Sequence, residues 1–227
     1  MTRSRWATFV TILFAIGVTN AQEPTVQADG RPRTARQQAH SRLYPQYDGR
    51  APLLGSSGNT RVRIEDRGIE KFVSLPEFLS APACAADAIV LATVRSFEAA
   101  LTESKKFIFT DYDVTVDDVL KGDTALLYAG SQIVVTRPGG ELVIEGRRLR
   151  ADDRSFRPLS VGNRYLLFLN FLPVTQSFIT KQDIGFAISA KGVSSLTNRP
   201  IAVAELSNID WQAIRASAAL AASGPCE

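Results

Sequence analysis

Four groups of residues in this 227-residue chain carry side chains suited to chemistry. Asp111, Asp113, Asp117, Asp118 and Asp123 crowd one stretch; Arg147, Arg148, Arg150, Arg154 and Arg157 crowd another around Asp152 and Asp153; Cys84 and Cys226 are the only cysteines, and His40 is the only histidine. Clustered carboxylates suit a calcium ion, which takes several oxygen ligands. No Asp-rich loop with a central glycine and a closing glutamate occurs, however. On a strand Asp111 and Asp113 would project in parallel about 7 Å apart, so a solvated acidic face is the expected role. The same pair acting as glycosidase carboxylates would need a pocket that separates their pKa values, and nothing in the sequence marks one. The arginines are the better candidate for a partner-binding loop, because guanidinium forks match carboxylate and phosphate. Pairing within the loop itself is the competing expectation. His40 falls in a polar tether and is expected to be neither metal ligand nor general base, which removes most hydrolase schemes. No residue is therefore assigned a catalytic, cofactor-binding or metal role.

The elements around these groups begin with an export signal. Arg3 and Arg5 precede an apolar run over residues 6–18, and Thr19-Asn20-Ala21 offers a small residue before a cut ahead of Gln22. This pattern predicts a secretory signal peptide over residues 1–21, too short for a comfortable membrane span. Periplasmic or secreted localisation follows, with no membrane span after cleavage. Cleavage removes two arginines and no acid, so 26 basic and 23 acidic residues become 24 and 23, net +1. Nucleic-acid binding is not expected from that balance. In an oxidising compartment Cys84 and Cys226 form a candidate disulfide closing a loop of about 142 residues, worth on the order of 5 kcal/mol in the chain-entropy model. Two unpaired thiols, or pairing with another chain, are the alternatives.

Residues 22–60 are rich in Gln, Arg, Pro, Gly and Ser and read as a flexible linker. Residues 61–83 follow as a short segment with a strand at 61–65 and a helical turn at 74–80, where Ser74 and Glu77 form a capping-box pattern. Strands are expected at 87–97, 107–122, 131–136, 141–144, 163–172, 184–190 and 192–196, with 141–144 pairing back on 131–136 across the turn Arg137-Pro138-Gly139-Gly140. The strand at 107–122 is the longest and alternates: Ile108, Thr110, Tyr112, Val114 and Val116 on one face, Phe107, Phe109, Asp111, Asp113, Thr115 and Asp117 on the other. Asp118 breaks the alternation, and a β-bulge there would turn Val116 and Val119 inward and Asp117 and Asp118 outward. Residues 98–106 read as a polar connection and 146–159 as a charged loop. The chain ends, over 197–227, in an Ala-rich helix of about 12–15 residues carrying Trp211 and Ile214 and a short tail, with Ser207 or Asn208 as cap.

The order of motifs resembles the netrin-like modules and the tissue inhibitors of metalloproteinases. Cys84-Ala85-Ala86-Asp87-Ala88-Ile89-Val90 is followed by Tyr112-Asp113-Val114, Val119-Leu120-Lys121-Gly122, Ile133-Val134-Val135 and Val161-Gly162-Asn163-Arg164-Tyr165-Leu166-Leu167-Phe168. The resemblance covers residues 84–196. It implies an all-β, OB-like antiparallel barrel there, to which the residue composition adds a C-terminal helix and a disordered N-terminal arm. The family's inhibitors chelate zinc through a mature N-terminal cysteine, whereas the mature chain here is expected to start at Gln22 with no cysteine before Cys84, so that mechanism does not carry over. The expected function is an exported, non-enzymatic binding or interaction module whose partner is a protein or cell-envelope component. It would contact that partner through residues 98–106 and 146–159 and use no cofactor. The alternatives are a protease inhibitor lacking the zinc-chelating terminus and a carboxylate-dependent hydrolase.

Overall fold

The computed structural model describes residues 30–47, 60–63, 75–153, 156–180, 184–190, 192–197, 210–224 and 226. The signal-peptide stretch 1–21 lies outside them. The chain is mostly β with a C-terminal helix. Helix α1 (Ala35–His40) and a 3-10 turn (Pro45–Tyr47) come first, then strand β1 (Thr60–Arg63) and helix α2 (Leu75–Ala85). Strands β2 (Ala88–Leu101) and β3 (Ile108–Lys121) form the central antiparallel pair. Next are β4 (Gln132–Pro138), β5 (Gly140–Ile144), β6 (Arg147–Asp152), β7 (Arg164–Leu172), β8 (Ser177–Ile179), β9 (Gly185–Ser189), β10 (Gly192–Ser195) and helix α3 (Trp211–Ser223).

The main sheet runs β10-β9-β7-β2-β3-β4-β8, and β8 also pairs with β7. The pairings β7–β2–β3–β4–β8 thus return to β7. All are antiparallel except β4–β8, which is parallel. A second sheet, β1-β6-β5, lies beside it. The register between β2 and β3 shifts three times, once between Leu91 and Ala92 where Leu91 faces Asp118 and Ala92 faces Val116. That is the bulge expected from the broken alternation. Val116 is buried and Val119 packs on the same cluster, while Asp117 and Asp118 turn to arginines outside.

Three clusters divide the core. One gathers Val90, Val94, Tyr112, Val114, Val116, Val135, Leu167 and their neighbours on one face of the main sheet. A second joins Tyr44 to Leu101, Phe107, Ile108, Phe109, Leu142, Ile144 and Leu149, with the β5–β6 hairpin as its cover. A third sets Phe78 and Leu79 of α2 and Ile214 of α3 on Ile89, Leu166, Phe168 and Phe186. α3 is capped by Asp210, whose side chain accepts from the Ala213 N–H at 2.8 Å; the expected caps Ser207 and Asn208 lie outside the described residues. Cys84 at the end of α2 and Cys226 beyond α3 form a disulfide, Cα atoms 5.5 Å apart, that ties the two helices together.

Three further expectations, about the arm and its neighbours, need correction. The first concerns the linker: residues 30–47 of the stretch 22–60 are folded onto the sheet. Thr34 and Gln37 make a capping box at α1, and both His40 and Tyr44 are buried. The second concerns residues 98–106, which are not a free connection. β2 runs on to Leu101, the turn accepts the arm, and the Leu101 and Glu103 N–H groups donate to the Gly30 and Ser41 carbonyls. The third concerns residues 141–144, which pair with 147–152 and not back on β4. Gly139 and Gly140, φ +91 and +142, carry the chain out of the main sheet, and the tight reversal falls at Glu145-Gly146, both at positive φ as a two-residue hairpin turn requires.

Candidate functional site

The arginine cluster does not converge. Within the expected loop 146–159, Arg147, Arg148 and Arg150 lie exposed on strand β6. Arg148 Nε meets Glu141 Oε1 at 3.0 Å and Arg150 Nε meets Asp152 Oδ1 at 2.6 Å, so both are paired within the hairpin. Exposed pairs of this kind contribute about 1 kcal/mol or less. Arg157 is exposed and lends its carbonyl to Arg137, while Arg154 lies outside the described residues.

A cleft of about 240 Å³ opens between the hairpin and the main sheet. Phe97, Tyr112, Phe156 and Leu159 supply its apolar lining, and Glu141, Arg150 and Asp152 supply charged groups. Arg137 anchors the wall from a buried position on β4. Its Nε donates to Thr180 Oγ1 at 2.9 Å, one terminal nitrogen donates to the Arg157 carbonyl at 3.0 Å and the other to Asp153 Oδ2 at 3.1 Å, and the guanidinium stacks 3.6 Å from the Phe156 ring centre. Burial pushes the Tyr112 hydroxyl pKa upward, against an opposing pull from Arg137. A buried guanidinium held by three hydrogen bonds fixes the shape of this cleft.

The other face of β3 holds the residues that the sequence does not bring together. His40, 0% exposed, ends α1. Its Nδ1 lies 2.8 and 2.9 Å from the two Asp111 oxygens, and its Nε2 lies 2.8 Å from Ser177 Oγ at the start of β8. Ser177 Oγ is 2.6 Å from Thr175 Oγ1, and Arg36 Nε stands 4.0 Å from Asp111. The Phe109 ring meets the imidazole edge-on at 6.4 Å. An ionised carboxylate only accepts, so Nδ1–H donates to Asp111; Nε2 is hydrogen-bonded to the Ser177 hydroxyl, which is bonded in turn to Thr175 Oγ1. The result is a continuous chain of hydrogen bonds from Thr175 through Ser177 and His40 to Asp111.

Asp111 is therefore not part of a solvated acidic face. The remaining acids behave more nearly as expected: Asp113 bonds Ser96, Asp117 bonds Thr93 and Arg164, and Asp118 bonds Arg215. Among the described residues no group of three His, Cys, Asp or Glu side chains could hold a metal ion. The Thr34-x-x-Gln37 pattern was the available signal that the arm folds. Nothing local marked Asp111 as His40's partner.

No family model matches the chain, and comparison with curated proteins finds no match.

Proposed function

We propose that the protein is an exported binding module built on an OB-type, netrin-like ring, and that its ligand surface is the cleft between β3–β4 and the β5–β6 hairpin. The single observation that carries this reading is the cleft itself, apolar within, charged at its rim and framed by the immobilised Arg137. The OB-type identity is supported by the pairing order. In such barrels three strands meander, the third runs parallel to the fifth, and the fourth closes on the first. Here β2, β3 and β4 meander, β4 runs parallel to β8, and β7 pairs with β2 and β8. Export is supported by the Cys84–Cys226 disulfide, a bond that persists in oxidising compartments. No described helix is long and apolar enough to cross a membrane.

The partner expected at such a cleft is a protein or envelope polymer that places one apolar group inside and polar groups on the rim. A photo-crosslinking residue introduced at Glu141 or Arg150 in cells should capture one discrete partner, and the same probe at Ser189, far along β9, should not. Pro158→Trp, an exposed lining position, should abolish the capture by filling the cleft. Capture that is equal from Ser189, or insensitive to Pro158→Trp, would overturn the proposal.

A further inference from the structure

A second site, separate from the cleft, contains the only acid–base–nucleophile order among the described residues. We propose that Ser177 is a nucleophilic serine, activated by His40 and Asp111, that accepts acyl groups from small activated esters. The components come from three distant parts of the chain, 71 and 137 positions apart, and meet at hydrogen-bond distance in the order a general base requires. A histidine buried for packing alone needs a partner for its N–H. Here the second nitrogen is also engaged, by the Ser177 hydroxyl at 2.8 Å, while a carboxylate holds the first nitrogen from the far side.

The chemistry balances within these residues and water. Ser177 Oγ adds to the ester carbonyl while its proton passes to His40 Nε2. The carbon–alkoxide bond breaks and the alcohol leaves with that proton, giving an acyl-serine. Water, deprotonated by the same Nε2, then releases the carboxylic acid and restores the hydroxyl. Asp111 is the positioning residue, holding Nδ1–H and the imidazolium that forms. Ser177 is 0% exposed. The hydrogen-bonded route to solvent runs through Thr175, half-buried on a turn whose Pro173, Val174 and Gln176 are exposed. Access past one threonine side chain restricts the acyl donor to a small one.

The test is an alkyl fluorophosphonate with the folded, oxidised chain, read by intact mass and by peptide mapping. The expected result is one adduct per chain, located on Ser177. Thr175→Ala should label at least tenfold faster, and Asp111→Asn more slowly, with a pH–rate profile displaced from that of the parent. No adduct on the parent chain at reagent excess, or an adduct on another residue, would overturn the proposal. A Thr175→Ala chain that labels no faster would overturn the access route. Because mapping reads the parent protein, the outcome does not depend on whether Ser177→Ala folds. Nor does it depend on the cleft: Pro158→Trp should leave the labelling rate unchanged.

Discussion

His40 Nδ1 and the Asp111 carboxylate, 71 positions apart, meet at 2.8 and 2.9 Å with both side chains almost wholly removed from water. This contact fastens the N-terminal arm to β3. His40→Ala would strand a buried carboxylate and should cost about 3–5 kcal/mol. Asp111→Asn keeps an acceptor for Nδ1–H and should cost about 1–2 kcal/mol. Urea unfolding of the two variants measures the difference. Tryptic cleavage at Arg36 and Arg42 should quicken in His40→Ala well below its unfolding midpoint. A His40→Ala chain within 1 kcal/mol of the parent would refute the fastening role.

The Cys84–Cys226 bond joins α2 to the chain just beyond α3, and half-buried Trp211 sits against the cluster between those helices. Replacing both cysteines by serine should lower stability by about 2–5 kcal/mol. Trp211 emission should shift red under mild denaturant before the β signal is lost. Simultaneous loss of both signals would mean that α3 is held without the bond.

Gly140 sits at φ +142 with Thr110 Oγ1 where a Cβ would go. Gly140→Ala should destabilise by about 3 kcal/mol, from overpacking together with an unfavourable backbone angle. The double variant Gly140→Ala, Thr110→Ser keeps the offending oxygen and should recover little, whereas Gly140→Ala, Thr110→Ala should recover part. Thermal melts of the three chains decide this.

Burial raises the hydroxyl pKa of both Tyr44 and Tyr112 above the ordinary value of about 10. The unfolded chain therefore ionises first. The stability from keeping these two phenols neutral is complete below pH about 10 and is lost as pH rises toward their folded values. Absorbance at 295 nm should show part of the tyrosinate signal appearing only with alkaline unfolding, followed by near-UV circular dichroism. Tyr44→Phe should shrink that part.

Much of the strand map was legible in the sequence because period-two alternation and turn residues are local signals. The stretches 163–172 and 184–196 fold close to their expected bounds, and the Asp118 bulge was visible as one misplaced charge. What was not legible depends on distant contacts. Residues 22–60 look like a solvated tether by composition, yet His40 and Tyr44 find their cover on β3 and β4. Asp111 reads as solvent-facing by alternation, and only the arm, arriving from far away in sequence, buries it. The hairpin partner of residues 141–144 is hidden because Arg137-Pro138-Gly139-Gly140 looks like a reversal, while the true reversal uses Glu145, an unusual residue at positive φ. The strength of the arginine cluster as a site also depended on partners that spacing cannot show, since Glu141 and Asp152 already face Arg148 and Arg150.

β2 and β3 each run fourteen residues and pass through all three hydrophobic clusters. Ile89, Val94 and Leu101 on one, with Leu120, Val114 and Ile108 on the other, serve the third, first and second cluster in turn. No cluster can melt without loosening a strand that the other two share. The chain should therefore behave as one cooperative unit, with matching calorimetric and van't Hoff enthalpies despite its three separate apolar centres.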